Sequence, residues 1–359
     1  MLPRNNELKP GRSSATGQLL QSTRRLFYSK AFSRTVLLVI ILLLLADLYR
    51  SPQHRLQGLK TSASSYESNE HGSAAEKDWS QYAYCQYVTA EAHLCNSLVM
   101  FESLSRLGVK ADKLMLFPEQ WLTKNTTEIN RQLSKARDEY NVKLQPVHLF
   151  HFGKEKTWAD GFTKFLAWNQ TDYKRVLVLD SDATVLQPMD ELFDLPSAPA
   201  AIPRAYWLES QLTGQLLLVE PSELEFKRIQ EALEQRQAND YDMEIINILY
   251  KDSALTLPHR AYDLLTGEFK AEEHHKFLGN EMEVWDPDKV LAKAKFVHFS
   301  DWPYPKPWVA ASRSQTEQIQ PKCHVLENGD EDCRDREIWL WFYNDFQESR
   351  QRVCGFLQV

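Results

Sequence analysis

The sequence predicts an α/β protein: a mostly parallel central sheet with flanking helices, preceded by a single N-terminal membrane anchor. Three observations carry this expectation. Strand-like runs and helix-period segments alternate from residue 82 onward; the run 176–179 is a short apolar strand of the kind buried on both faces and is followed at once by Asp180 and Asp182; and one apolar run, 36–46, stands behind a basic leader.

Each element follows in chain order. Residues 1–34 hold seven Lys or Arg against the single acid Glu7 and read as a disordered, cationic, cytosolic tail. Eleven apolar residues follow Thr35, and with their flanks residues 35–50 approach the roughly 17–25 needed to span a bilayer. A cleaved signal peptide would need a shorter leader and a small-residue cleavage site, which is not found after Leu45. An uncleaved signal anchor tolerates the long tail and places the rest of the chain in the lumen of the secretory pathway, where thinner membranes suit a short span. Residues 51–79 are polar without any hydrophobic period and read as a flexible stem.

Order begins at 82–89, an aromatic and β-branched strand. Residues 91–107 carry Leu94, Leu98, Phe101, Leu104 and Leu107 at helical spacing, and Gly108 stops them. A strand at 113–117, a helix at 126–140, a strand at 143–150 and a helix at 162–168 lead into the strand 176–179; such alternation implies parallel strands joined by right-handed crossovers. Beyond lie an extended piece and a helical turn (185–193), strands at 200–202 and 215–219, a charged helix at 223–238, a buried helix at 241–250 with Asp242 near its N-terminus, and a last strand at 295–299. A proline-stiffened aromatic loop, 300–308, follows, and 335–352 is a closing amphipathic helix with Ile338, Phe342 and Phe346 on one face. A globular domain thus spans 80–312, with a C-terminal loop and closing helix over 313–359.

Composition excludes some partners. A formal charge of −7 leaves no basic excess to neutralise a nucleic-acid backbone. The five cysteines show no C-x-x-C pairing, which argues against structural zinc. In an oxidising compartment they allow two disulfides; Cys323 with Cys333 is the better pairing, since both lie in a polar loop, and Cys85 with Cys95 is a further option. Asn125 and Asn169 head glycosylation sequons, and His274-His275 reads as solvated loop.

Two carboxylates at the carboxyl end of a buried strand can hold a hard divalent cation that in turn holds a phosphate. The competing reading is a turn or helix cap, which Asp and Ser also favour. Other residues decide between them. Lys164 ahead of the strand, Leu179-Asp-Ser-Asp-Ala-Thr184 followed by Met189-Asp-Glu-Leu-Phe193, and Val297-His-Phe299 with Lys306-Pro-Trp308 together resemble glycosyltransferase family eight over about residues 80–310. These are glycogenin-like enzymes of GT-A fold that use a UDP-sugar, bind manganese and retain anomeric configuration. The anchor and the Cys333-Arg-Asp-Arg-Glu-Ile-Trp339 tail resemble the fungal Golgi N-acetylglucosaminyltransferases within that family.

The resemblance implies a division of labour. Asp180, Asp182 and His298 are the metal ligands, with Asp180 also near the ribose. Lys306 reaches the diphosphate, Lys164 lies near the donor phosphate or sugar, Tyr87 and Thr89 face uracil and ribose, Gly214 lies in the donor site, and Asp242 sits near sugar and acceptor. It further implies a UDP-sugar donor, a glycan acceptor, and a single-pass type II Golgi membrane protein with a lumenal catalytic domain. Three departures stand out: Met243 replaces a usual glutamine, Leu212-Thr-Gly214 replaces Asn-Ser-Gly, and His298 and Lys306 are eight positions apart instead of six. Two rival readings stay open on the residues alone. The strand followed by D-x-D-x-T formally matches a haloacid-dehalogenase-type phosphatase, and Met243 and Leu212 also allow a member that binds nucleotide-sugar without turning it over.

Overall fold

The computed structural model describes residues 77–123, 127–149, 161–326 and 328–355. The tail, anchor and nearly all of the stem lie outside them, as does the sequon at Asn125. Among the described residues no helix is long and apolar enough to cross a membrane. Asn169 of the second sequon is exposed.

The central sheet holds β1 (Tyr82–Tyr87), β2 (Asp112–Pro118), β3 (Val142–Val147), β4 (Arg175–Leu179), β6 (Ala200–Pro203), β7 (Leu216–Val219) and β8 (Leu255–Leu257), in the order β3-β2-β1-β4-β7-β6-β8. A small second sheet sets β10 (Phe296–His298) between β5 (Ala183–Val185) and β9 (Leu264–Leu265). Parallel pairing holds from β3 through β4 and between β6 and β8, but β7 runs antiparallel to both its neighbours. The expectation of parallel strands is thereby corrected at β7: the chain returns from β6 without a helix between them, and antiparallel strands need no crossover.

The apolar runs explain the layers. Along β4, Val176 and Val178 face one core and Leu177 and Leu179 the other, the period of two that a doubly covered strand requires. On the first face Phe165, Trp168, Ile229, Ile245 and Tyr250 pack together, with Trp168 stacked on Tyr250 at 5.4 Å. They come from helices α3 (Glu223–Gln235) and α4 (Asp242–Tyr250) and from Gly161–Asn169, which is a 3-10 helix with every residue from 162 to 168 buried. The opposite face is covered by α1 (Glu91–Arg106), next to which lies α2 (Thr127–Tyr140), and by the long α5 (Arg334–Cys354). Ile338, Phe342 and Phe346 of α5 are buried as their spacing requires, and Trp339 and Tyr343 join them.

Two disulfides tie the described residues. Cys323 pairs with Cys333, while Cys95 of α1 pairs with Cys354 at the end of α5, so the Cys85–Cys95 option is corrected. Cys85 is a buried free thiol: its side chain belongs to the core beneath α4, whereas Cys95 packs on the opposite face of the sheet against α5. Next to this bond Arg350, wholly buried, donates to Asn96 Oδ1. The Cys95–Cys354 bond closes a separation of 259 residues against 10 for the other, and a longer closed loop constrains the unfolded chain more. Replacing both Cys95 and Cys354 by serine is expected to lower stability by about 2–4 kcal/mol, and replacing Cys323 and Cys333 by less, as read from urea unfolding.

Candidate metal centre

Strand register delivers the site. In the parallel β1–β4 pair Cys85 is level with Val178, which brings Tyr87 level with Asp180; the Tyr87 hydroxyl donates to Asp180 Oδ1 at 2.7 Å. Leu216 of antiparallel β7 lies opposite Leu179, so Asp180 N donates to Gln215 O at 2.9 Å and the turn at Gly214 falls beside the aspartate. On the other side His298 lies opposite Ala183, and Phe299 N donates to Asp182 O at 3.0 Å. The two ends of the D-x-D are thus held by two different sheets.

Asp180, Asp182 and His298 each offer a ligand atom, and the three atoms lie within 4.8 Å of one another. His298 Nε2 is 3.1 Å from Asp182 Oδ2, and Lys306 Nζ is 2.8 Å from the same oxygen. Lys306 also donates to the Phe299 carbonyl. The buried His298 Nδ1 has no hydrogen-bond partner among the described residues. Two carboxylates and an imidazole form a mixed oxygen and nitrogen set that suits manganese better than calcium, so the residues fit such an ion. The two aspartates are not equivalent. Burial raises the carboxyl of Asp180 above its ordinary range against the pull of Lys164. Burial acts on Asp182 in the same direction, but His298 and Lys306 outweigh it and hold that group well below.

Lys164 lies inside the wall of the site. Its side chain is 2% exposed, and Nζ donates to Asp242 Oδ2 at 2.5 Å, to Gly214 O at 2.6 Å and to Asp180 Oδ2 at 3.2 Å. Burial alone would lower its pKa; the two carboxylates reverse that and push it well above the usual lysine value. All three ammonium hydrogens are therefore used within the protein. Lys164 thus joins Asp180, just past β4, to Asp242 at the start of α4. Gly214 makes that junction possible, because a Cβ there would stand 2.8 Å from Asp242 Oδ2.

The remaining expected residues are placed as follows. Tyr87 turns its hydroxyl to Asp180 and its ring toward Lys164, 5.6 Å away. Thr89 lies two residues further on and has no hydrogen bond to the cluster among the described residues. The turn that departs from Asn-Ser-Gly is gripped by Asn247 of α4, which accepts from Leu212 N at 2.8 Å and donates to Leu212 O at 2.9 Å. Sequence reasoning passed over Asn247, which lies on the same helix as Asp242. It also passed over a cleft beside the metal ligands, lined by Tyr206, Trp207, Gln215, Glu268 and Ser300. Glu268 accepts from His274 Nδ1 at 2.8 Å, and His274 stacks on Trp285 at 3.9 Å. The reading of 274–275 as solvated loop is corrected for His274, which is packed, while His275 is half-exposed.

No protein-family model matches the chain. It is similar to the glucose N-acetyltransferase 1 of Aspergillus fumigatus, 44% identical over 302 residues that cover 77% of this chain and 78% of that protein. The chain belongs to the glucose N-acetyltransferase 1 family, in glycosyltransferase family eight. The protein of the same name from Gibberella zeae is 51% identical over 288 residues, and the matched stretch spans 63% of its length. Among solved structures, the galactosyltransferase LgtC in complex with donor and acceptor sugar analogs aligns with a TM-score of 0.51 at 15% identity, over 76% of this chain and 96% of that one. The fold is therefore GT-A-like, and the phosphatase reading of the D-x-D-x-T stretch is set aside.

Lys164→Met removes the cation that lies between two part-buried carboxylates. Stability is expected to fall by about 3–5 kcal/mol. With the ammonium gone, burial and the neighbouring Asp242 carboxylate raise the folded-state pKa of Asp180 further above the unfolded value. The protonated form then rescues the fold, so the deficit shrinks as pH falls and grows as pH rises through the raised pKa. Thermal unfolding of Lys164→Met and wild type at pH 5 and pH 8 checks the sign.

Proposed function

We propose that the protein is a UDP-sugar-dependent, retaining hexosyltransferase that moves N-acetylglucosamine to a glycan acceptor with manganese as cofactor. The observation that carries this reading is the convergence of Asp180, Asp182 and His298 within 4.8 Å at the carboxyl end of β4, with Lys306 already fixed beside them. Manganese, when bound, neutralises charge on the departing diphosphate and acts as its template. The chain supplies the rest. Asp180, Asp182 and His298 hold the ion from two sheets, and Lys306 adds a fixed positive charge for the diphosphate at no cost in reorganisation. Asp242, with Oδ2 committed to Lys164, keeps Oδ1 for the sugar. Retention follows by same-face attack or by a covalent intermediate on a carboxylate such as Asp242. The acceptor enters along the cleft of Trp207, Gln215, Glu268 and Ser300, which opens beside the ligands.

The names of the relatives support an amino-sugar product, and the two disulfides support an oxidising compartment. A type II Golgi protein, anchored by residues 35–50 with its catalytic domain in the lumen, fits both. The departures at Met243 and Leu212 favour a second reading, a member that binds UDP-sugar without turnover.

A panel of UDP-sugars with manganese separates the two: the proposal expects transfer from UDP-N-acetylglucosamine above the other donors, and the second reading expects UDP binding with no sugar released. Asp182→Asn is expected to lower turnover by about 10²–10³-fold, and chelation is expected to abolish it until manganese is restored. Near-wild-type turnover in Asp182→Asn sinks the site assignment.

A further inference from the structure

The loop 300–308, which carries Lys306, combines a buried anchor with an outlying aromatic ring. Asp301 is 2% exposed. Its carboxylate accepts from Tyr343 of α5 at 2.9 Å and from Thr266 Oγ1, and Lys270 Nζ lies 2.7 Å from its second oxygen. The backbone on both sides is fixed as well: Ser300 N donates to Thr266 Oγ1 at 3.0 Å, Tyr304 N donates to Asp301 O at 2.8 Å, and the Tyr304 ring packs on Trp339 and Tyr343. Between these attachments Trp302 is 90% exposed. An indole held in water forgoes the burial that most tryptophans obtain, and no ring contact of Trp302 exists among the described residues to offset it.

Its place gives the exposure a use. Ser300 lines the cleft with Trp207, Gln215 and Glu268, and Gly267 N donates to Ser300 Oγ at 3.2 Å. Trp302 follows two residues on, within about 7 Å of Ser300 from Cα to Cα. Trp302 is thus exposed two residues from a residue that lines the cleft, on a loop that is already ordered, so little freedom is lost when a ligand covers it. The apolar C–H face of a pyranose carries slight positive charge and matches the negative face of an aromatic ring.

Resting on the function proposed above, we infer that Trp302 is a specificity-determining residue: its indole stacks on the pyranose unit of the acceptor glycan next to the one that receives the sugar. Asp301 is the positioning residue that aims it. The acceptor is therefore an oligosaccharide, and a monosaccharide leaves this contact unused.

The test uses the full chain with manganese and UDP-N-acetylglucosamine. It measures donor hydrolysis without acceptor, and transfer to p-nitrophenyl mono- and disaccharides of glucose, galactose and mannose. Trp302→Ala is expected to lower kcat/KM for the preferred disaccharide by roughly five- to tenfold, through KM. Monosaccharide transfer and donor hydrolysis stay at wild-type values, and Trp302→Phe recovers most of the loss. An unchanged ratio of disaccharide to monosaccharide kcat/KM in Trp302→Ala, with donor hydrolysis intact, overturns the inference alone. Absence of metal-dependent hydrolysis of the UDP-sugar in the wild type overturns the reading of the site, and this inference with it.

Discussion

One buried ammonium organises the centre of this molecule. Lys164 comes from a 3-10 segment that precedes β4, and it reaches Asp180 at the end of that strand, Gly214 before β7 and Asp242 at the start of α4. Without it, two carboxylates would face each other with most of their water removed, a state that proteins avoid by neutralising one of them or by moving apart. With it, each carboxylate has a cation within hydrogen-bond distance. A charge buried for this purpose contributes little net stability, because desolvation offsets most of the attraction. What it contributes is geometry. Asp180 and Asp242 are far apart in sequence and belong to different elements, yet each is tied to the same nitrogen.

The second half of the site depends on a different buttress. His298 and Lys306 belong to β10 and the loop after it, and neither is fastened to Lys164. Phe299 packs between Tyr343 and Phe346 of α5, each at 5.2 Å, and Tyr343 also holds Asp301. The closing helix is in turn bound to α1 through Cys354–Cys95 and through Arg350 to Asn96. The C-terminal helix thus supports the backbone that presents His298 and Lys306 to Asp182. Asp182 is where the halves meet, since it receives His298 and Lys306 while its neighbour Asp180 answers to Lys164.

Much of this was legible before any coordinates. Apolar strands have a short period and few alternative residues, so β1, β2, β4 and β7 stand out, and the spacing of Ile338, Phe342 and Phe346 announces α5. The cluster of Asp180, Asp182 and His298 was legible for a related reason: few carboxylates and imidazoles stand at the ends of buried strands. The direction of β7 was not, because reversal of a strand depends on the path between strands, which leaves no periodic mark. Nor was the partner of Cys95, 259 residues away, since pairing over such a distance is set by how two helices pack on one sheet face. Asn247 and Asp301 were overlooked because a polar residue acquires a structural task only through what it meets.

The same distinction bears on the wall beside the cluster, where Leu212 and Met243 stand. A metal ligand must place a charged or basic atom within a few tenths of an ångström, which excludes almost every substitution. A wall that presents backbone and neutral groups to a sugar is less exacting, provided the backbone is held. Here Asn247 grips both the N–H and the carbonyl of Leu212, and Gly214 is kept small by the approach of Asp242. The turn is therefore held by its backbone as well as by the buried side chain of Leu212. Within α4 the carbonyl at Met243 receives Asn247 Nδ2 at 2.8 Å. The side chains of this turn and of α4 therefore stand on a fixed frame beside Asp180.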